Sequence, residues 1–143
     1  MNDARPLINS FPTNPSAPPR NSLVLVVEDH EESRKMLKVL LSLKGYEVIE
    51  AEEGERALEL AKDKHPDLVL MDISLPVRDG LAIYREMRNC SSLGDVPIIL
   101  TSGYSTDAFR QEVRAAGCDE FLVKPLDFDE LDRLLEYHLP HQA

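Results

Sequence analysis

Tryptophan is absent from this sequence, and cysteine occurs only twice, at Cys90 and Cys118. Two thiols build no disulfide framework, so the fold must rest on an apolar core, and a reducing compartment is the default. Positive charge is also scarce: 16 Lys and Arg stand against 26 Asp and Glu, a formal net charge of −10. That balance excludes an electrostatic grip on nucleic acid or on an anionic membrane surface, both of which need clustered Lys and Arg. No apolar run approaches the ~18 residues that cross a bilayer, so membrane insertion is not expected. The first 22 residues lack a basic-then-apolar leader, and Asn2 is not the glycine that N-myristoylation requires. Neither G-x-G-x-x-G nor G-x-x-x-x-G-K-[ST] occurs, so nothing points to a nucleotide-phosphate loop. What is present is 143 residues with 43% hydrophobic content, enough for one core. The expectation is a soluble, cytoplasmic, acidic domain.

The chain divides at about residue 22. Residues 1–22 hold Pro6, Pro12, Pro15, Pro18 and Pro19, half of the ten prolines, without helical or alternating periodicity. They read as a disordered, polyproline-like and passive tail; Leu7, Ile8 and Phe11 are the anchors such a segment would offer a partner. From Leu23 the texture changes. Buried-strand patterns at Leu23–Val27, Tyr46–Ala51, Asp67–Asp72, Val96–Leu100 and Glu120–Val123 alternate with helical patterns at Glu31–Lys44, Glu53–Lys64, Leu81–Arg88, Ser105–Ala116 and Asp127–Tyr137. In the first helix Met36, Leu37, Leu40, Leu41 and Leu43 read as the apolar side. Gly45 and Gly117 stand where helices close, and Asp127 with Glu130 has capping-box spacing. Five strands alternating with five helices predict a parallel sheet covered on both faces, whose ligands lie at the carboxyl ends of the strands.

Those ends carry chemistry. The first strand runs into Glu28-Asp29, the third ends at Asp72, the fourth runs into Thr101-Ser102, and the fifth meets Lys124-Pro125. A lone Asp at a strand end is ordinarily a cap or a turn residue. Four strand ends together deliver three carboxylates, two hydroxyls and one ammonium to a single rim. Crowded carboxylates invite a hard divalent cation such as Mg²⁺, and a lysine with a hydroxyl can hold a phosphoryl oxygen. The chemistry suggested is phosphoryl transfer to a carboxylate.

The ordered set Glu28-Asp29, then Leu70-Met-Asp72-Ile-Ser-Leu-Pro76-Val-Arg-Asp-Gly80, then Leu100-Thr101-Ser-Gly, then Gly117-Cys-Asp-Glu-Phe121-Leu-Val-Lys124-Pro125 resembles the receiver domain of two-component response regulators. The resemblance covers about residues 23–138, with 139–143 left as a short C-terminal tail. It implies a flavodoxin-like, doubly wound α/β fold of five parallel strands and five helices. It implies Asp72 as the phospho-acceptor, which becomes 4-aspartylphosphate by attack on a phosphohistidine of a histidine kinase or a histidine phosphotransfer protein. Mg²⁺ would sit on Asp29 directly, on Glu28 through water, on Asp72, and on the backbone carbonyl of Ser74. Thr101 and Lys124 would bind the phosphoryl oxygens, and Phe121 would be the aromatic switch. The Lys124–Pro125 bond is expected to be cis. Because Phe121 has no hydroxyl, its position is expected to depend on packing alone.

Glu28 departs from the family's commoner Asp. Ser74 and Gly103, two residues beyond Asp72 and Thr101, offer no amide or carboxylate to orient an attacking water. The function read from the sequence is a phosphorylation-controlled switch, a stand-alone receiver and not an enzyme beyond its own phosphorylation and autodephosphorylation. It would signal by protein contact through the 105–138 face. A phosphorelay intermediate or a phosphate sink is the alternative. An aspartyl-phosphate phosphatase fits less well, since such enzymes place a second Asp where Ser74 stands, and a dead adaptor fits poorly with the intact acid, hydroxyl and lysine set. His30 reads as a solvent-facing helix-start residue, not a metal ligand; His65, His138 and His141 lack ligand partners at suitable spacing. Cys90 and Cys118 read as small hydrophobes.

Overall fold

The structure, a computed structural model, describes residues 22–74, 80–103, 106–118 and 120–139. Residues 1–21 of the tail expected over 1–22, residues 75–79, Ser105 at the start of the fourth predicted helix, and residues 140–143 lie outside the described residues. The elements alternate throughout: β1 (Leu23–Val27), α1 (Glu31–Leu43), β2 (Glu47–Ala51), α2 (Gly54–Lys64), β3 (Leu68–Asp72), α3 (Gly80–Asn89), β4 (Ile98–Ser102), α4 (Asp107–Ala115), β5 (Phe121–Val123) and α5 (Phe128–His138). The strands form one parallel sheet in the order β2-β1-β3-β4-β5. This is the parallel sheet covered on both faces that the alternation predicts, and the flavodoxin-like architecture that the resemblance implies.

The strands read as unbroken apolar runs because both faces are covered. In β1, Leu25 and Val27 face the core shared with α2, α3 and α4, while Val24 and Val26 face the core shared with α1 and α5. In β3, Val69 and Met71 join the first core and Leu68 and Leu70 the second. Burying each such side chain contributes about 1.5–3 kcal/mol. The order reverses at β1: β2 lies on one side and β3 on the other. The crevice above the carboxyl ends of β1 and β3 follows from that reversal.

Local chemistry sets the element ends. Gly45 and Gly117 take left-handed φ values of 94° and 93° just past α1 and α4. The Asp127 carboxylate accepts bonds from the Asp129 and Glu130 amides, and the Thr106 hydroxyl caps α4 through the Phe109 amide. β4 begins after Pro97, whose carbonyl accepts from the Val69 amide, and it continues through Thr101 and Ser102. α1 corrects the expected apolar side. Leu37 and Leu41 are buried, but Met36 and Leu43 are 47% and 80% exposed, and the third buried residue of the helix is Arg34. Among the described residues no helix is long and apolar enough to cross a membrane.

Candidate functional site

Three strands bring their ends together at the order reversal. Glu28 follows β1, Asp72 ends β3, and Thr101 pairs with Asp72 in the β3–β4 register. Glu28, Asp72 and Thr101 are buried, whereas Asp29 is exposed. One carboxylate oxygen each from Glu28, Asp29 and Asp72 lies within 4.8 Å of the others. At that spacing three negative charges repel unless cations intervene.

Lys124 supplies one of those cations. Its Nζ donates to Glu28 Oε1 and to Asp72 Oδ2, both at 2.8 Å. The Lys124–Pro125 bond is cis, as the resemblance implied. Burial pushes the Lys124 ammonium down, but its bonds to Asp72 and Glu28, with their charges, outweigh burial and leave it above the ordinary lysine value. A raised lysine contributes stability that is complete below its unfolded value and is lost only as pH climbs through the folded one, so this pairing is intact at neutral pH.

The remaining carboxylate oxygens are partly spoken for. Glu28 Oε2 accepts from the His30 amide at 3.1 Å, and Asp72 Oδ1 accepts from the Ser74 amide at 2.8 Å. Glu28 is therefore held at both oxygens and is poorly placed to give one to a metal without losing a bond. The Asp29 carboxylate carries no hydrogen bond or ion pair among the described residues and is the least engaged of the three acids. A hard cation fits this all-oxygen set. His30 is exposed and its Nδ1 pairs with Ser33 Oγ, which keeps the imidazole out of the acid cluster.

Phe121 starts β5, half-buried. Its ring meets Phe109 edge-on at 6.0 Å between centroids, and the Arg110 guanidinium lies over it at 5.8 Å. The expectation that packing alone fixes Phe121 is thus incomplete, because a cation from α4 also faces the ring. His138 pairs with Glu120, tying the end of α5 to the approach of β5. Cys118 is buried, and burial raises its thiol; Cys90 packs against the core edge, and a bond from Ser92 lowers its thiol.

Arg34 escaped the sequence reading. It lies on the face of α1 shared with Leu37 and Leu41, an i, i+3, i+7 pattern that marks a charged residue turned inward. An apolar hollow of about 270 Å³ also went unforeseen: Met36, Leu37, Leu126 and Phe128 line it beside Lys124 and Glu28.

Comparison with known proteins agrees with this geometry. Residues 24–136 match the family model described as the response regulator receiver domain. The polar-differentiation response regulator DivK of Brucella abortus is 32% identical over 116 residues, spanning 81% of this chain and 94% of DivK. The chemotaxis response regulator CheY4 of Vibrio cholerae superposes with a TM-score of 0.76 at 30% identity, over 83% of this chain and 99% of that one. The receiver domain of a Pseudomonas aeruginosa sensor histidine kinase, with a magnesium ion coordinated in its active-site cleft, gives a TM-score of 0.77 at 31% identity, over 83% and 98% of the two chains.

Proposed function

The chain belongs to the response regulator receiver family, a family of phosphorylation-controlled signalling switches, and from that premise we propose that Asp72 is its phospho-acceptor. The observation that carries the reading is the pair of hydrogen bonds from Lys124 to Asp72 and Glu28, at 2.8 Å each, inside a cluster of three carboxylates. An Asp72 oxygen attacks the phosphorus of a phosphohistidine; the P–N bond breaks, and the imidazole leaves with the electron pair. Lys124 holds charge on the incoming phosphoryl oxygens, and the Thr101 hydroxyl bonds one of them. Asp29 and Asp72, with the Ser74 carbonyl, would hold Mg²⁺ directly and Glu28 through water; a bound Mg²⁺ neutralises charge between the carboxylates and the phosphoryl oxygens. Incubation with acetyl phosphate and Mg²⁺ should add one phosphoryl group by intact mass, and no mass gain would end this reading.

The freedom of Asp29 gives a second expectation. Asp29→Ala should weaken Mg²⁺ binding about tenfold or more, since a ligand is lost outright. Calorimetric titration showing wild-type affinity would remove Asp29 from the ligand set.

Receiver domains exchange signals with histidine kinases or phosphotransfer proteins and with downstream targets. For this chain we assign the phosphodonor, a histidine kinase or phosphotransfer protein, to the apolar hollow between α1 and α5 that borders Lys124, and the downstream protein to the 105–138 face. The switch occupies residues 23–138 and acts in the cytoplasm, and residues 1–22 stand outside the chemistry. Phosphorylation draws Thr101 towards the phosphoryl group and opens space for Phe121 to turn in, against the hold of Arg110 and Phe109. Phosphate then shifts an equilibrium only by its differential affinity for the two states. Thr101→Ala should accept phosphate at Asp72 yet lose most of the response of α4, β5 and α5. Relaxation-dispersion NMR on Phe121, with and without a phosphoryl mimic, reads it; a full wild-type response in Thr101→Ala would uncouple Thr101 from the surface.

A further inference from the structure

The turn from β1 into α1 carries Glu28 and Asp29, and one buried cation holds it from below. Arg34 is only 7% exposed. Its Nη1 donates to the Glu28 carbonyl at 3.1 Å, its Nε to Glu50 Oε1 at 3.3 Å and its Nη2 to Glu52 Oε1 at 3.4 Å. The Glu28 amide in turn donates to the Ala51 carbonyl at 3.0 Å. Glu28 is therefore fixed through both of its backbone groups, one by β2 and one by Arg34. The plane that contains the Glu28 carbonyl also contains the Asp29 amide, so its orientation sets the direction from which the Asp29 side chain leaves the chain. The Asp29 carboxylate has no hydrogen bond or ion pair among the described residues, and its aim is inherited from this backbone.

A buried guanidinium is costly unless its donors are met, and only a planar fork reaches a carbonyl and two carboxylates on different elements at once. We infer that Arg34 is a positioning residue of the metal site: it locks the Glu28 peptide and thereby points Asp29 at the cation, without touching the cation or the phosphoryl group. This rests on the reading of Asp29 as a metal ligand.

The test is a Mg²⁺ titration of the full chain, followed by calorimetry and by amide chemical shifts, on Arg34→Lys, Asp29→Ala and the double variant. Arg34→Lys keeps the charge but cannot span all three acceptors. It should remain folded, by circular dichroism and thermal melting, and should bind Mg²⁺ about tenfold more weakly, the size typical of losing a ligand's supporting bond. Its phosphorylation rate by acetyl phosphate at saturating Mg²⁺ should stay within about twofold of wild type, since the loss lies in binding. In the Asp29→Ala background the lysine should add nothing further, because Arg34 acts through Asp29. Wild-type Mg²⁺ affinity in Arg34→Lys, beside a weakened Asp29→Ala, would overturn the role of Arg34 alone. Additive losses in the double variant would show that Arg34 acts by another route and would equally overturn it. Unchanged affinity in Asp29→Ala would instead overturn the site reading on which the inference stands. Should Arg34→Lys fail to fold, Glu50→Ala with Glu52→Ala removes both side-chain acceptors that steady the fork, one half-buried and one exposed, and leaves the guanidinium free to swing off the Glu28 carbonyl; wild-type Mg²⁺ affinity there would likewise count against the inference, and weakened affinity for it.

Discussion

Asp72→Asn is expected to abolish phosphoryl incorporation while leaving the fold intact. The amide is close in shape to the carboxylate and keeps a carbonyl oxygen for the Ser74 amide, which now bonds Asp72 Oδ1 at 2.8 Å. It is no nucleophile, and labelling by acetyl phosphate should fall to background. Stability moves in two opposing ways. Lys124 loses one of its two carboxylate partners but keeps Glu28 at 2.8 Å. The crowd of acids loses one negative charge, which relieves like-charge repulsion. The two effects largely offset, so the melting temperature should shift by only a few degrees, equivalent to about 1 kcal/mol or less. Undiminished labelling of the folded variant, seen by intact mass, would move the acceptor to another residue.

Gly80→Ala should be among the most damaging single substitutions in the chain. α3 starts at Gly80, whose amide donates to the Ile73 carbonyl at 3.1 Å, one residue past Asp72. A Cβ built at Gly80 would meet the Ile73 Cα at 2.4 Å and its carbonyl carbon and oxygen at 2.9 Å. These are backbone atoms of the residue after β3, so relief requires parting α3 from the sheet. A loss of about 3 kcal/mol or more is expected, roughly 10 °C in melting temperature for a domain of this size. Gly103→Ala is the control, because nothing lies within 4 Å of its Cβ position. Gly54→Ala falls between: its Cβ would meet the Ile83 side chain, at 2.3 Å from Cγ1, and a side chain can rotate away. Equal melting temperatures for the Gly80 and Gly103 variants would show that α3 is not seated against Ile73.

The alternation of elements was legible because strands covered on both faces are unbroken apolar runs, as at Val24–Val27, and because glycines stand at the helix ends. Strand edges were less so. The β-branched text begins at Val96, but Pro97 delays β4 to Ile98, and pairing with Asp72 carries it through Thr101. In α1, leucines and a methionine on every side looked alike, since what each one faces depends on β2 and α5, which the helix's own text does not contain. The site's residues could be read from the four strand ends. Their bonding could not: that Glu28 gives one oxygen to Lys124 and the other to the His30 amide is a matter of three-dimensional register. Arg34 was overlooked because a charge in a helix ordinarily points to water, and its carboxylate partners lie 16 and 18 residues away. Arg110 over Phe121 was overlooked for the same reason, as a contact between separate elements.

The bonds of Lys124 reach across 96 residues to Glu28 and 52 to Asp72. Contacts so distant in sequence are among the last to be secured as a chain folds, since each must overcome the entropy of closing a long loop. A nascent chain that has laid down β1 to β4 already possesses Asp72 and both acids of the β1–α1 turn, yet lacks the ammonium that offsets their charge. With Asp72 as acceptor, as proposed, competence to take a phosphoryl group would arrive with the lysine that follows the final strand, not with Asp72 itself. Such a switch would stay silent in partly made, truncated or locally unravelled molecules, and a pathway built on it would hear only from copies whose tertiary structure is complete.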